Sequence, residues 1–233
     1  MTTTFSEPLR RLTERHAAWG AEQLDAFNEF LPVGDWSADL GQRLFRQSGK
    51  ELRISLLGTF EVNECSWLWA WANPGFASSP LAEAAEAVRA YGHAHGVPEF
   101  TGELVPLDGH EDPRTAAETL AFTAMGVLGA TGYLGVQASP DARAYMVPDD
   151  PQVPRAEPDA ITLPRVLLTG ASLVPCSARA VVEGYVAHHA LPHRAAADRL
   201  SAGLPDGGTV DVVFDEYDRI ASVRVNTGAP AVS

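Results

Sequence analysis

Three tryptophans stand at alternate positions, Trp67, Trp69 and Trp71, with Asn73 two residues further on. On an extended strand alternate side chains point the same way, so this spacing aims three indoles and one amide at one face while Leu68, Ala70 and Ala72 take the other. Two arrangements satisfy that pattern. An open face would be an aromatic groove with the Asn73 amide as its polar anchor, suited to a small apolar ligand. A face covered by helices would be core, the ordinary fate of large aromatics. Glu61 has the same parity, so a desolvated carboxylate there would have a raised pKa and could move protons beside the indoles. Equally, Glu61 could mark where the strand emerges into water.

Imidazoles are the other source of chemistry near neutral pH. His188, His189 and His193 form the densest cluster, and the four-residue step from His189 to His193 suits two metal ligands on one helical face. Pro192 lies between them and breaks a helix there, and two ligands are fewer than the three or four that zinc takes. A surface cluster at a helix junction is the alternative. His93 and His95 diverge if helical. His110-Glu111-Asp112-Pro113 starts like a zinc-protease motif but lacks its second histidine, which leaves Asp112 as a helix N-cap. His16 falls in the apolar stripe of the first helix, where a hydrogen-bonded imidazole at the edge of the core is expected.

Other catalytic signatures are incomplete. Gly170-Ala-Ser172 lacks the second glycine of a nucleophile elbow. Gly126, Gly129, Gly132 and Gly135 follow a helix, whereas phosphate loops precede one. Cys65 is a conceivable nucleophile, but its neighbour Glu64 would face the opposite side of a strand. Cys65 and Cys176 form neither a CxxC pair nor a disulfide framework and read as two buried thiols in a reducing compartment. No cofactor is expected from these motifs.

The elements that must position these residues follow from spacing and caps. Ser6 opens a helix with apolar positions at Leu9, Leu12, Trp19, Phe27 and Phe30, stopped by Pro32 and Gly34. From Trp36 to Asn73 the period falls to two, an antiparallel meander broken at Ser48-Gly49-Lys50. Ser79-Pro80 and Asp112-Pro113 each start a helix, the second through Leu128, with strands expected at 100–107, 133–137 and 142–147. The six prolines at 140, 148, 151, 154, 158 and 164, among acidic residues, favour extended chain. This divides the sequence into a main α+β domain at 1–147, an acidic linker at 148–160, a small α+β lobe at 161–226 and a tail at 227–233. The lobe is expected to hold helices at 177–190 and 192–200 and a closing hairpin. The fold class is α+β, an antiparallel meander sheet packed by amphipathic helices with a smaller helix-helix-hairpin lobe.

The string Trp67-Leu-Trp69-Ala-Trp71-Ala-Asn73-Pro, set between an amphipathic helix and an alanine-rich one, resembles a domain of unknown function from high-GC Gram-positive bacteria. The closing Phe214-Asp215-Glu-Tyr-Asp218-Arg219-Ile220 hairpin adds to the resemblance, which covers most of the chain. It implies architecture and no particular activity.

Of the 233 residues 45% are hydrophobic, enough for a sizeable core, and 17 basic residues against 30 acidic give a net charge of −13. That field repels phosphate backbones and anionic lipid, so neither nucleic acid nor membrane is an expected partner. The opening residues lack a signal-peptide pattern and no apolar run is long enough to span a bilayer, which points to the cytoplasm. The reading that results is a cytoplasmic binding or interaction module holding a small apolar molecule or a protein partner at Trp67, Trp69, Trp71 and Asn73. The alternative is an enzyme of specialised metabolism acting on a small aromatic or apolar substrate through Glu61 or a histidine. A third reading makes the acidic surface a mimic or shield for a basic partner.

Overall fold

A computed structural model describes residues 4–173 and 177–227; Cys176 lies outside the described residues. The chain forms two compact units. Unit 1 comprises the residues up to Leu12 and Gln23–Arg155, and unit 2 comprises Thr13–Glu22 and the chain from Ala156 onward. The first helix therefore contributes its middle to unit 2 and its ends to unit 1. The division falls inside the proline-rich stretch read as a linker, but its first half is built into unit 1: Pro148 pairs with Ile54 in the sheet and Val153 is buried.

Helix α1 (Glu7–Phe30) begins where the sequence indicates. The Ser6 hydroxyl accepts from the Leu9 N–H and donates to Glu99, and Leu31 closes the last turn before Pro32. In unit 1 the meander consists of β1 (Trp36–Asp39), β2 (Leu44–Gln47), β3 (Lys50–Glu61) and β4 (Ser66–Trp69), with β5 (Leu104–Pro106), β6 (Leu134–Ser139) and β7 (Ala142–Pro148) completing a curled antiparallel sheet. Ser48 and Gly49 both take positive φ, the backbone a two-residue hairpin turn requires. Strand β3 is the spine: it pairs with β2 through 50–53, β7 through 54–61 and β4 through 58–61.

Ser79 caps a 3-10 turn (Pro80–Ala82) that runs into α2 (Glu83–His95), and the Asp112 carboxylate accepts from the N–H groups of Arg114 and Thr115 to start α4 (Pro113–Leu128). Gly96 and Gly129 end these helices in the left-handed conformation. The expected strand over 100–107 is reduced to β5, because Pro98 starts a single turn, α3 (Pro98–Thr101), whose Phe100 is drawn into the core.

Unit 2 contains α5 (Leu163–Leu173), α6 (Ala178–His188) and a four-stranded antiparallel sheet of β8 (His193–Ala195), β9 (Arg199–Gly203), β10 (Thr209–Phe214) and β11 (Ile220–Asn226). The hairpin and α6 match expectation, whereas the helix expected over 192–200 is the β8–β9 pair. Alanine propensity there is overridden by pairing with β10, and Leu200 and Ala202 are buried at a spacing of two. Helix α5 was hidden by Pro164, which sits in its first turn, where a missing N–H does no harm. Among the described residues no helix is long and apolar enough to cross a membrane.

Two glycines seat α5 and α6 on the middle of α1. A Cβ on Gly170 would stand 2.5 Å from the Ala18 Cα, and one on Gly184 would stand 1.9 Å from the Arg15 carbonyl oxygen. Alanine in place of glycine inside a helix ordinarily stabilises by about 0.5–1 kcal/mol. Here the added methyl must push two backbones apart, so Gly184→Ala is expected to lower the stability of the chain by about 1–3 kcal/mol in urea unfolding. A gain in stability would show that the helices do not approach this closely.

Candidate ligand cleft

The tryptophans are interior. Trp67 and Trp69 are fully buried and Trp71 is 5% exposed. Trp67 packs against Tyr145 and Trp69 with ring centroids 5.1 and 5.2 Å away, Trp69 meets Phe100 edge-on at 5.7 Å, and the Arg89 guanidinium covers Trp71 at 4.1 Å. Nor do all four residues share a strand. β4 ends at Trp69, so Trp71 and Asn73 lie in the turn that follows. Asn73 Oδ1 accepts from the Gly75 N–H at 2.9 Å, which spends the presumed ligand anchor on shaping that turn.

Glu61 belongs to the other face. Across the β3–β4 hairpin Phe60 opposes Trp67 and Gly58 opposes Trp69, while Glu61 opposes Ser66 and Thr59 opposes Leu68. Directly opposed residues point the same way, so the four-residue turn Val62–Cys65 inverts the parity that links Glu61 to the indoles. Glu61 is half-buried at the sheet's end with Ser66 and Leu68. Cys65 sits in that turn with φ 47°, half-buried beside a groove of about 480 Å³ lined also by Arg114 and Arg143, and its thiol lies 3.4 Å from the Val62 carbonyl.

The three histidines proposed as metal ligands separate. His188 meets His16, His189 meets Glu22, and His193 on β8 lies against the Leu191 carbonyl. Pro192 sends the chain from helix into strand, and among the described residues no group of three or more His, Cys, Asp or Glu is placed to hold a metal.

Unit 1 instead opens a cleft of about 910 Å³ between its sheet and the starts and ends of its helices. Arg53 and Ser55 on β3 and Val147 and Pro148 on β7 contribute from the sheet, Glu83 and Ala84 from the start of α2, Leu128 to Thr131 from the end of α4, and the loop Asp149–Arg155 encloses it. Two arginines fix that loop. Arg43, at φ 60°, donates to the Ile54 carbonyl, the Ser55 hydroxyl and Asp149 at 3.1, 2.9 and 3.0 Å, and stands 3.5 Å from Glu83. Arg53 holds Asp149 from the other side at 3.0 Å, while its backbone N–H donates to Asp150. Partial burial opposes charge on Asp150, but the N–H groups of Arg53 and Gln152, with the Arg53 guanidinium, hold its pKa below the ordinary carboxylate value. Gln23 ties the α4–β6 connection to the loop by donating to the carbonyls of Thr131 and Pro154.

These bonds leave Glu83 and Arg155 as the charges least committed to the protein. Glu83 is 70% exposed, and Arg155 has one long bond, 3.4 Å, to the Gly129 carbonyl. Ala84, Leu128, Val147 and Pro148 share the lining with them. The lining holds two hydroxyls, Ser55 and Thr131, and no imidazole or thiol. A lining that mixes apolar side chains with placed charges can hold and orient a molecule.

A second polar cluster is structural. The Tyr133 and Tyr145 hydroxyls both donate to the Glu118 carboxylate, at 3.0 and 2.9 Å. Burial, then the charge of Glu118, pushes Tyr145 up to about 12 and raises Tyr133 as well, so both remain neutral donors.

The fold thus defines an α+β protein with a cleft at the end of its sheet. The chain belongs to a family of unknown function (DUF6882), whose model matches residues 10–151. That span holds most of the cleft lining, ending before Val153, Pro154 and Arg155. No curated protein and no solved structure matches the chain.

In the sequence Asp149 and Asp150 stand next to prolines and have the character of a solvated linker, which masks their place in the cleft. The available signal was their place directly after a β-strand. Arg43 is only 19% exposed, and its replacement removes the donor to the buried Ser55 hydroxyl and the Ile54 carbonyl and leaves Asp149 to Arg53 alone. Arg43→Met is expected to lower stability by about 2–4 kcal/mol in urea unfolding and to speed amide exchange in 149–155; unchanged exchange there would show that Arg43 does not hold the loop.

Proposed function

We propose that the protein is a binding module that takes a small, partly apolar molecule bearing a charged group into the cleft of unit 1. The observation that carries this reading is the cleft itself, about 910 Å³ with apolar residues in its lining and two under-committed charges, Glu83 and Arg155. Its volume suits a ligand of drug-like size. Anchoring of the loop by Arg43 and Arg53 supports it further, since a wall fixed in advance spares the ligand the entropy of ordering it. The placement of Glu61 on the face opposite the indoles weighs against the carboxylate route of the enzymatic alternative. The unpaired thiol of Cys65 suits a reducing, cytoplasmic setting.

Ala84 lines the cleft and is half-buried, so a larger side chain there enters the opening rather than the core. Ligand-observed NMR of the full chain against small aromatic carboxylates and amines, followed by titration of each binder, tests the reading. Binders are expected to lose about tenfold or more in affinity to Ala84→Trp, with an unchanged thermal unfolding midpoint. If none binds the parent chain, or binders keep full affinity for the variant, the cleft is not the ligand site.

A further inference from the structure

The segment of α1 that belongs to unit 2 carries His16, Trp19 and Glu22, spaced to share one face. Helix α6 presents Tyr185, His188 and His189 to them. His16 Nδ1 and His188 Nε2 are 2.6 Å apart with the rings steeply inclined at 62°, and the Trp19 indole stacks flat on His188 at 4.1 Å and 4°. Further along α1, the Glu22 carboxylate accepts from the Tyr185 hydroxyl at 3.0 Å and meets His189 Nε2 at 2.9 Å. His16 Nε2 is buried without a partner.

A nitrogen-to-nitrogen hydrogen bond needs one N–H and one lone pair, which two neutral imidazoles supply. Two imidazolium rings would set N–H against N–H. Even one added proton puts a cation in a desolvated place, and the neighbouring basic groups oppose it: Arg15 bears on both rings and His189 on His188. On the same stretch of α1 Glu22 is engaged by Tyr185 and His189, and Asp159, ahead of α5, acts on Tyr185.

We propose that the His16–His188 pair is a proton-operated latch, which closes α6 onto the middle of α1 while both rings are neutral and releases it in mild acid. This device lies in unit 2 and is independent of the binding reading. Burial foremost, with the positive neighbours, lowers His16 to about 3 and His188 to about 4. Released rings titrate near the ordinary histidine value, about 6.5. The closed state thus binds fewer protons than the open one: its stabilisation is complete above about pH 6.5 and falls away as pH drops below that value. Each ring contributes up to about tenfold per pH unit, so between pH 7 and pH 5 the opening equilibrium rises roughly 500-fold.

Hydrogen exchange of the full chain at pH 7 and pH 5, corrected for the intrinsic pH dependence of exchange, reads this out. Amides of 178–188 are expected to lose protection on the order of 500-fold while those of 113–128 in unit 1 keep theirs, and the double variant His16→Gln/His188→Gln is expected to abolish the difference. Equal loss in both helices, no loss in α6, or a response that survives in the double variant would overturn the latch. Should that variant not fold, the ring-proton NMR titration of His16 and His188 in the parent chain decides: values well below 6.5 support the latch and values near 6.5 overturn it.

Discussion

The architecture of unit 1 depends on one close approach, that of the Trp67 indole to the backbone of Gly58. A Cβ at residue 58 would lie 2.8 Å from the ring and 2.5 Å from the Leu68 carbonyl oxygen. Because glycine leaves that space empty, the Trp67 indole can approach β3 closely and still reach Tyr145 and Trp69. The bulge in the β3–β7 register occurs between Leu56 and Gly58, at the same point. A single small residue thereby sets where the sheet bends, how the indole is sealed and where the neighbouring strands meet. Burial of an aromatic of this size is worth about 3–5 kcal/mol, a large part of what a domain has to spare.

The same packing explains what was legible beforehand. Helices announced themselves through capping chemistry that acts within a few residues: Ser6, Ser79 and Asp112 each satisfy the N–H groups that local rules assign them. The meander could be read because alternation is local too. Alternation misleads across the turns that flank β4. Parity carried Glu61 past Val62–Cys65 onto the aromatic side, and carried Trp71 and Asn73 along a strand that stops at Trp69. Local rules also mislead where a tertiary partner overrides local preference, as at 192–200. The cleft needed four separated segments brought together, and no spacing rule encodes that. Its charges had the sequence character of a linker because arginines from another part of the meander, Arg43 and Arg53, neutralise and order them.

The family match and the cleft reinforce each other in one respect. The residues matched, 10–151, contain the whole seven-stranded sheet, its covering helices, and the arginine pair that fixes the cleft wall. What lies downstream is mainly the four-stranded sheet and the two helices of unit 2. The proposed binding cleft in the one and the proposed latch in the other therefore rest on separate sets of polar bonds.

Helix α1 makes the two units inseparable as pieces of gene. Its residues Ala17, Ala18 and Trp19 are almost wholly covered, and they belong with segments that enter the chain more than a hundred residues later. Truncation after Arg155 would retain every strand of the larger sheet yet leave an apolar stripe in the centre of the first helix facing water. Such a fragment would be prone to self-association, and synthesis of the intact chain must keep that stripe waiting until α5 and α6 have emerged.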